Sequence, residues 1–133
     1  GVLYGLNHNH DKYDILRSVY EGVSLSIVDC YKSLNKKIDK LLLAGGGAKS
    51  KIWSQMISDS LGIKVLVPKE EELGAKGAAI IASVAKHNKI SNYKLQNKLK
   101  IYKHYLPSKT NSKQYNELYK KYKSLSRKLF FDV

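Results

Sequence analysis

The run Leu41-Leu42-Leu43-Ala44-Gly45-Gly46-Gly47-Ala48-Lys49-Ser50 constrains the fold most. Residues 37–44, with Ile38 and three consecutive leucines, read as a short buried strand. Three glycines in a row end any regular element. Beyond them Ile52, Trp53, Met56, Ile57 and Leu61 fall on one side of a helix from about Ser50 to Leu61. Gly62 then stands where a left-handed residue closes a helix. Glycines admit close backbone approach, and a helix start offers unpaired amides to an anion. The unit is thus a plausible ligand turn, although such turns also serve purely structural ends. It is not a P-loop, because Leu43 and Ala48 occupy the glycine positions of that motif. It is not a Rossmann fingerprint, because Ser50 replaces the third glycine.

The surrounding pattern makes the class α/β. Leu16, Tyr20, Val23, Ile27, Tyr31 and Leu34 form one apolar stripe of a helix over residues 11–36, capped by Asp11 or Asp14. Ile63 to Val67 is a strand closed by Pro68. An acidic turn, Glu70-Glu71-Glu72, opens a small-residue helix from Gly74 to about Lys86. Residues 87–113 are polar and weakly patterned, which suggests a surface excursion. A closing helix follows over about Ser112–Leu129, with Tyr115, Leu118, Tyr122, Leu125 and Leu129 on its apolar face. A small mixed or parallel sheet flanked by helices is expected, with neighbouring parallel strands bridged by a helix. So thin a sheet implies more strands upstream, and Gly rather than Met at position 1 fits a processed or partial chain.

A single domain accounts for 133 residues. No run approaches the ~18 apolar residues of a membrane span, and no signal peptide is visible, so a cytoplasmic setting is expected. One cysteine excludes an internal disulfide, and Cys30 reads as a buried helical thiol. His8 and His10 lack a nearby third ligand, which leaves no metal set. The net charge of +13 is concentrated: residues 81–133 hold 13 Lys+Arg against 2 Asp+Glu, net +11. With Tyr93, Tyr102, Tyr105, Tyr115, Tyr119 and Tyr122 interleaved, that third could bind nucleic acid. Ten tyrosines against two phenylalanines favour instead a solvated face written in a Lys- and Tyr-rich vocabulary.

Three ordered segments carry a resemblance. The first is Gly1-Val2-Leu3-Tyr4-Gly5-Leu6, a spacer of seven residues, then Asp14-Ile15-Leu16-Arg17-Ser18-Val19-Tyr20-Glu21. The second is Ala44 to Met56 with Ser58-Asp59-Ser60-Leu61-Gly62, and the third is Glu72-Leu73-Gly74-Ala75-Lys76-Gly77-Ala78-Ala79. Together they resemble the FGGY carbohydrate kinases over residues 1–86, and the first two look closest to the xylulokinase-like branch. Tyr105-Leu106-Pro107 to Leu129 resembles that family's closing helix less specifically.

The resemblance implies the C-terminal half of an actin-like, ribonuclease H-like ATPase fold, filling residues 1–133. It implies ATP/ADP with Mg2+, and transfer of the γ-phosphate to a hydroxyl of a pentulose or related sugar or polyol. It places Gly45, Gly46, Gly47 and Ala48 against adenosine and the proximal phosphates, with Gly46 closest. The polar contact of the next helix falls near Lys51, where a lysine replaces an amide. Gly77 and Ala78 would let the third helix pack near the nucleotide floor. The general base and the sugar contacts belong to sequence before this chain, so no residue here is catalytic. A missing N-terminal kinase domain is the implied partner, a homodimer is compatible, no membrane is implied, and nucleic acid is disfavoured. The alternatives, a basic nucleic-acid module and an inactive remnant, follow from charge and length instead.

Overall fold

The computed structural model describes residues 1–69, 72–87 and 100–130. Its first helix, α1 (Lys12–Ser33), begins where two aspartates satisfy each other's backbone. Asp11 accepts from the amides of Tyr13 (2.7 Å) and Asp14 (2.9 Å), and the Asp14 carboxylate accepts from the Asp11 amide at 3.1 Å. Both candidate caps are therefore used, as a reciprocal capping box.

Strand β1 (Lys40–Leu42) leads through a 3-10 turn, Gly46–Lys49, into α2 (Lys51–Leu61). Gly62 closes α2 at φ 67°, its amide donating to the Ser58 carbonyl at 2.9 Å. Strand β2 (Lys64–Pro68) and helix α3 (Leu73–His87) follow. Then come β3 (Ile101–Tyr105) and α4 (Lys109–Phe130).

The sheet order is β1-β2-β3. β1 runs parallel to β2 with Leu41 opposite Val65, so the expected helix-bridged parallel pair is present. β3 runs antiparallel to β2 with Tyr105 opposite Val65, and the register shifts at Val67/Pro68. The sheet is mixed.

β3 corrects the reading of 87–113 as a surface excursion. Ile101 and Lys103 are half-buried and Tyr105 buried on one side, while Tyr102 and His104 are exposed. That is the period-2 signature of a half-covered strand, too short to stand out beside the polar sequence before it. Tyr93, Leu95 and Leu99 lie outside the described residues, as do Glu70 and Glu71. α4 begins at Lys109, three residues earlier than its apolar pattern suggests. The cause is the Asp59 carboxylate of α2, which is 3% exposed. It accepts from the Ser108 amide (2.8 Å), Asn111 Nδ2 (2.9 Å) and Gln55 Nε2 (2.9 Å). Gln55 Nε2 also reaches the Leu106 carbonyl at 2.8 Å, so the β3–α4 corner is pinned to α2.

Two buried clusters sit on either side of α2. Ile57, Val65, Val67 and Tyr105 join α2 to the sheet, and Leu25, Met56 and Tyr115 join it to α1 and α4. Trp53 packs against both. On α1 the buried residues are Ser24, Leu25 and Val28, because α2 and α4 both approach from that side. The expected stripe is displaced: Leu16, Tyr20, Val23 and Leu34 are exposed. Cys30 is exposed as well, not a buried thiol, since it lies away from the α2–α4 side. Ile52 and Leu42 are also exposed, the latter because β1 pairs only with β2 among the described residues and has a half-open face.

The tyrosines of α4 are engaged in packing. Tyr115 is buried and Tyr119 and Tyr122 half-buried. Tyr119 donates to Asp29 Oδ1 at 2.6 Å, Lys123 Nζ pairs with the same oxygen at 2.9 Å, and Lys32 lies 3.8 Å over the Tyr119 ring. Burial first, and then this hydrogen bond, push the Tyr119 hydroxyl up to about 12. The bonds from Tyr119 and Lys123 hold Asp29 below the ordinary carboxylate value. These rings hold α4 to α1 and are not free to stack on bases, which weighs against a nucleic-acid surface there.

Candidate functional site

The glycine turn hangs from the carboxyl end of β1, the end at which open α/β sheets place ligands. Gly45 sits at φ 86°, a conformation that strains any residue with a Cβ. The Gly45 carbonyl accepts from the Ala48 amide (3.1 Å) and the Gly47 carbonyl from the Ser50 amide (3.2 Å), which fixes the 3-10 turn. Ser50 caps α2, its hydroxyl accepting from the Trp53 amide at 3.2 Å. The amides of Gly46 and Gly47 have no acceptor among the described residues. Those of Lys51 and Ile52 precede the helical ladder.

The three glycines have three different reasons. Gly45 is required by its φ. Gly47 is required by Trp53, because a Cβ there would run into Cζ3 of that indole and stand 3.0 Å from Cε3. Gly46 has neither reason: its φ is not positive, and a Cβ there would meet nothing within 4 Å. It is exposed on the open side of the turn.

Beside the turn lies a cavity of about 380 Å3, bounded by Gly45, Ala48 and Lys51 on one side and by Lys69, Tyr102 and Lys103 on the other. Of the residues singled out in the sequence, Gly45, Ala48 and Lys51 line it, whereas Gly46 and Gly47 do not. Lys51 is exposed at the first position of α2. Tyr102 and Lys103 went unforeseen, because they come from β3. The alternation of Ile101, Lys103 and Tyr105 was the signal that could have found them. Gly77 has open space where its Cβ would be, so packing among the described residues does not require it.

Among the described residues no group of His, Cys, Asp and Glu side chains could hold a metal ion. No helix there is long and apolar enough to cross a membrane. A larger groove, of about 860 Å3, runs between α1, α2 and α4. Its Asp59 carboxylate already has three donors and Arg17 is paired with Glu21 at 2.9 Å, so these charged groups serve the fold.

Comparison with known proteins gives a consistent picture. Residues 1–86 match the model of the FGGY family of carbohydrate kinases, C-terminal domain. A probable L-xylulose kinase of Pasteurella multocida is 30% identical over 129 residues, covering 95% of this chain and 26% of the relative. A xylulose kinase of Staphylococcus xylosus is 31% identical over 133 residues, covering 94% and 27%. A gluconokinase of Bacillus subtilis is 30% identical over 135 residues, covering 97% and 26%. The chain thus spans about a quarter of the length of these relatives. Among solved structures, a ligand-bound xylulose kinase from Lactobacillus acidophilus superposes with a TM-score of 0.84 at 23% identity, over 98% of this chain and 27% of that one. A Plasmodium falciparum glycerol kinase with ADP gives 0.74 at 23% identity, over 97% and 27%. These likenesses establish the actin-like, ribonuclease H-like fold.

Proposed function

The chain belongs to the FGGY family of carbohydrate kinases, and from that premise we propose that it is the adenine-nucleotide-binding portion of a cytoplasmic, ATP-dependent sugar kinase. Gly45, Gly46, Gly47 and Ala48 meet the adenosine and proximal phosphates through backbone, and Lys51 brings a positive charge to the same place. The acceptor is a hydroxyl of a pentulose or a related sugar or polyol. The xylulose, L-xylulose and gluconate kinases among the relatives support that class.

Gly46 is the observation that carries this reading. It is the one glycine of the turn that neither its own φ nor a neighbour among the described residues explains. A glycine with no described residue where its Cβ would be leaves room for a ligand to lie against it. The unaccepted amides of Gly46 and Gly47 and the start of α2 add donors and a favourable dipole for phosphate oxygens.

ATP, when bound, supplies the phosphoryl group. This chain's part is to hold the nucleotide by backbone donors and to leave little freedom to its proximal phosphates, since phosphoryl transfer depends mainly on alignment and charge neutralisation. Mg2+, as the nucleotide's complex, would neutralise charge on the phosphates. The general base and sugar contacts are assigned to the remaining part of the longer kinase, the partner we propose for this chain.

Calorimetric titration with Mg-ADP tests the reading. The wild-type chain should bind saturably, and Gly46→Val should weaken binding at least ~10-fold, about 1.4 kcal/mol, with an unchanged melting temperature. Equal binding by Gly46→Val would remove the turn from the nucleotide site.

A further inference from the structure

Trp53 lines neither cavity, yet it touches the turn from below. Its indole Nε1 donates to Ser24 Oγ of α1 at 3.1 Å, and Ser24, itself 1% exposed, donates to the Tyr20 carbonyl at 2.8 Å. The Tyr20 ring meets the indole edge-on, centroids 5.5 Å apart at 63°. The far side of the same indole lies where a Cβ of Gly47 would be. Trp53 is therefore held by α1 on one side and supports the glycine turn on the other. Its own amide also closes the Ser50 cap at 3.2 Å.

We infer that Trp53 is a positioning residue for the nucleotide: clamped by Ser24 and Tyr20, its indole is the support that sets where the Gly45–Ala48 backbone meets the ligand. The inference rests on the nucleotide reading above and adds a residue that makes no contact with the ligand. Gly47 is glycine so that the turn can sit flat on this ring. Trp53→Leu removes the whole indole, with its hydrogen bond to Ser24, and leaves the turn unsupported. Gly47→Ala lifts the turn off it. The two substitutions act on one contact, so their effects should overlap rather than multiply. Ser24→Ala is the gentle variant, deleting the indole's hydrogen bond and little volume.

The test is a cycle of Gly47→Ala, Trp53→Leu and the double variant, with Ser24→Ala alongside. Three quantities are read for each: the Mg-ADP dissociation constant, the melting temperature, and the exchange of the Ala48 and Ser50 amides in the nucleotide-free chain. Each single variant of the cycle should weaken Mg-ADP ~10-fold, and the double variant by much less than the product. Ser24→Ala should weaken it by ~5-fold, the worth of one net hydrogen bond, and raise exchange of both amides by a similar factor while the chain stays folded. Wild-type binding with multiplicative losses, or with Ser24→Ala leaving affinity and exchange unchanged, overturns the role of Trp53 alone. Failure of the wild-type chain to bind Mg-ADP overturns the nucleotide reading and, with it, any role of Trp53 toward that ligand.

Discussion

Asp59→Ala should be the most damaging single change away from the two apolar clusters. The carboxylate accepts three hydrogen bonds, two of them from the corner that joins β3 to α4. Alanine leaves the Ser108 amide and the Asn111 side-chain amide without their acceptor. Hydrogen bonds to a charged group contribute ~1.5–3 kcal/mol each, so the two would total roughly 3–6 kcal/mol if both donors stayed dry. Asn111 is exposed and Ser108 half-buried, and water can reach both, which reduces the loss to about 2–3 kcal/mol. For a chain of this length that corresponds to a fall in melting temperature of roughly 8–12 °C. Asp59→Asn should lose less, because its carbonyl oxygen can still accept from Ser108 while its amide faces the amide of Asn111. Circular-dichroism melts and urea titrations of the three proteins give the order. Amide exchange should rise first in β3, and the anchoring of Tyr102 and Lys103 beside the turn should weaken with it. A loss below ~0.5 kcal/mol for Asp59→Ala, within the range of an ordinary surface change, would show that this corner is held by something else.

Gly62→Ala keeps open space around the new Cβ but forces alanine to φ 67°, so it should cost ~1 kcal/mol by denaturant titration through backbone strain alone. The contact between α1 and α4 should loosen in strong base. Tyr119, raised to about 12, contributes stability that is complete below the ordinary tyrosine value of ~10 and is lost as pH rises from there through 12. Asp29, held low, contributes in the opposite sense, present above the ordinary aspartate value of ~4 and lost as pH falls below it. Melts against pH should show both limbs, and Tyr119→Phe should flatten the alkaline one; an unchanged alkaline limb would assign it to other groups. The affinity change at Gly46 completes the set, read by calorimetry as described above.

Local signals in the sequence located the elements that make the turn. Gly45 and Gly62, both at positive φ, and the Ser50 cap answer to backbone chemistry, and each acts within a few residues of itself. What was not legible depends on which elements meet. The buried side of α1 is set by α2 and α4 converging on Ser24, Leu25 and Val28, although a more apolar stripe runs beside it. Cys30 is exposed for the same reason. β3 was hidden because its five residues follow a long polar stretch and its partner is a strand over thirty residues earlier. The cause of Gly47 was also beyond local reading. It lies in an indole six positions ahead, whose orientation is fixed by a serine of another helix.

β1 is three residues long and, among the described residues, has a hydrogen-bonded neighbour on one side only. The glycine turn is its direct continuation. Anything that docks along the open edge and anything that fills the turn therefore act on the same short piece of backbone. If the one event shifts the affinity for the other, the reverse shift must be by the same factor. A strand laid against β1 would then serve as an effector of the ligand. The ligand would in turn decide how firmly that strand is held.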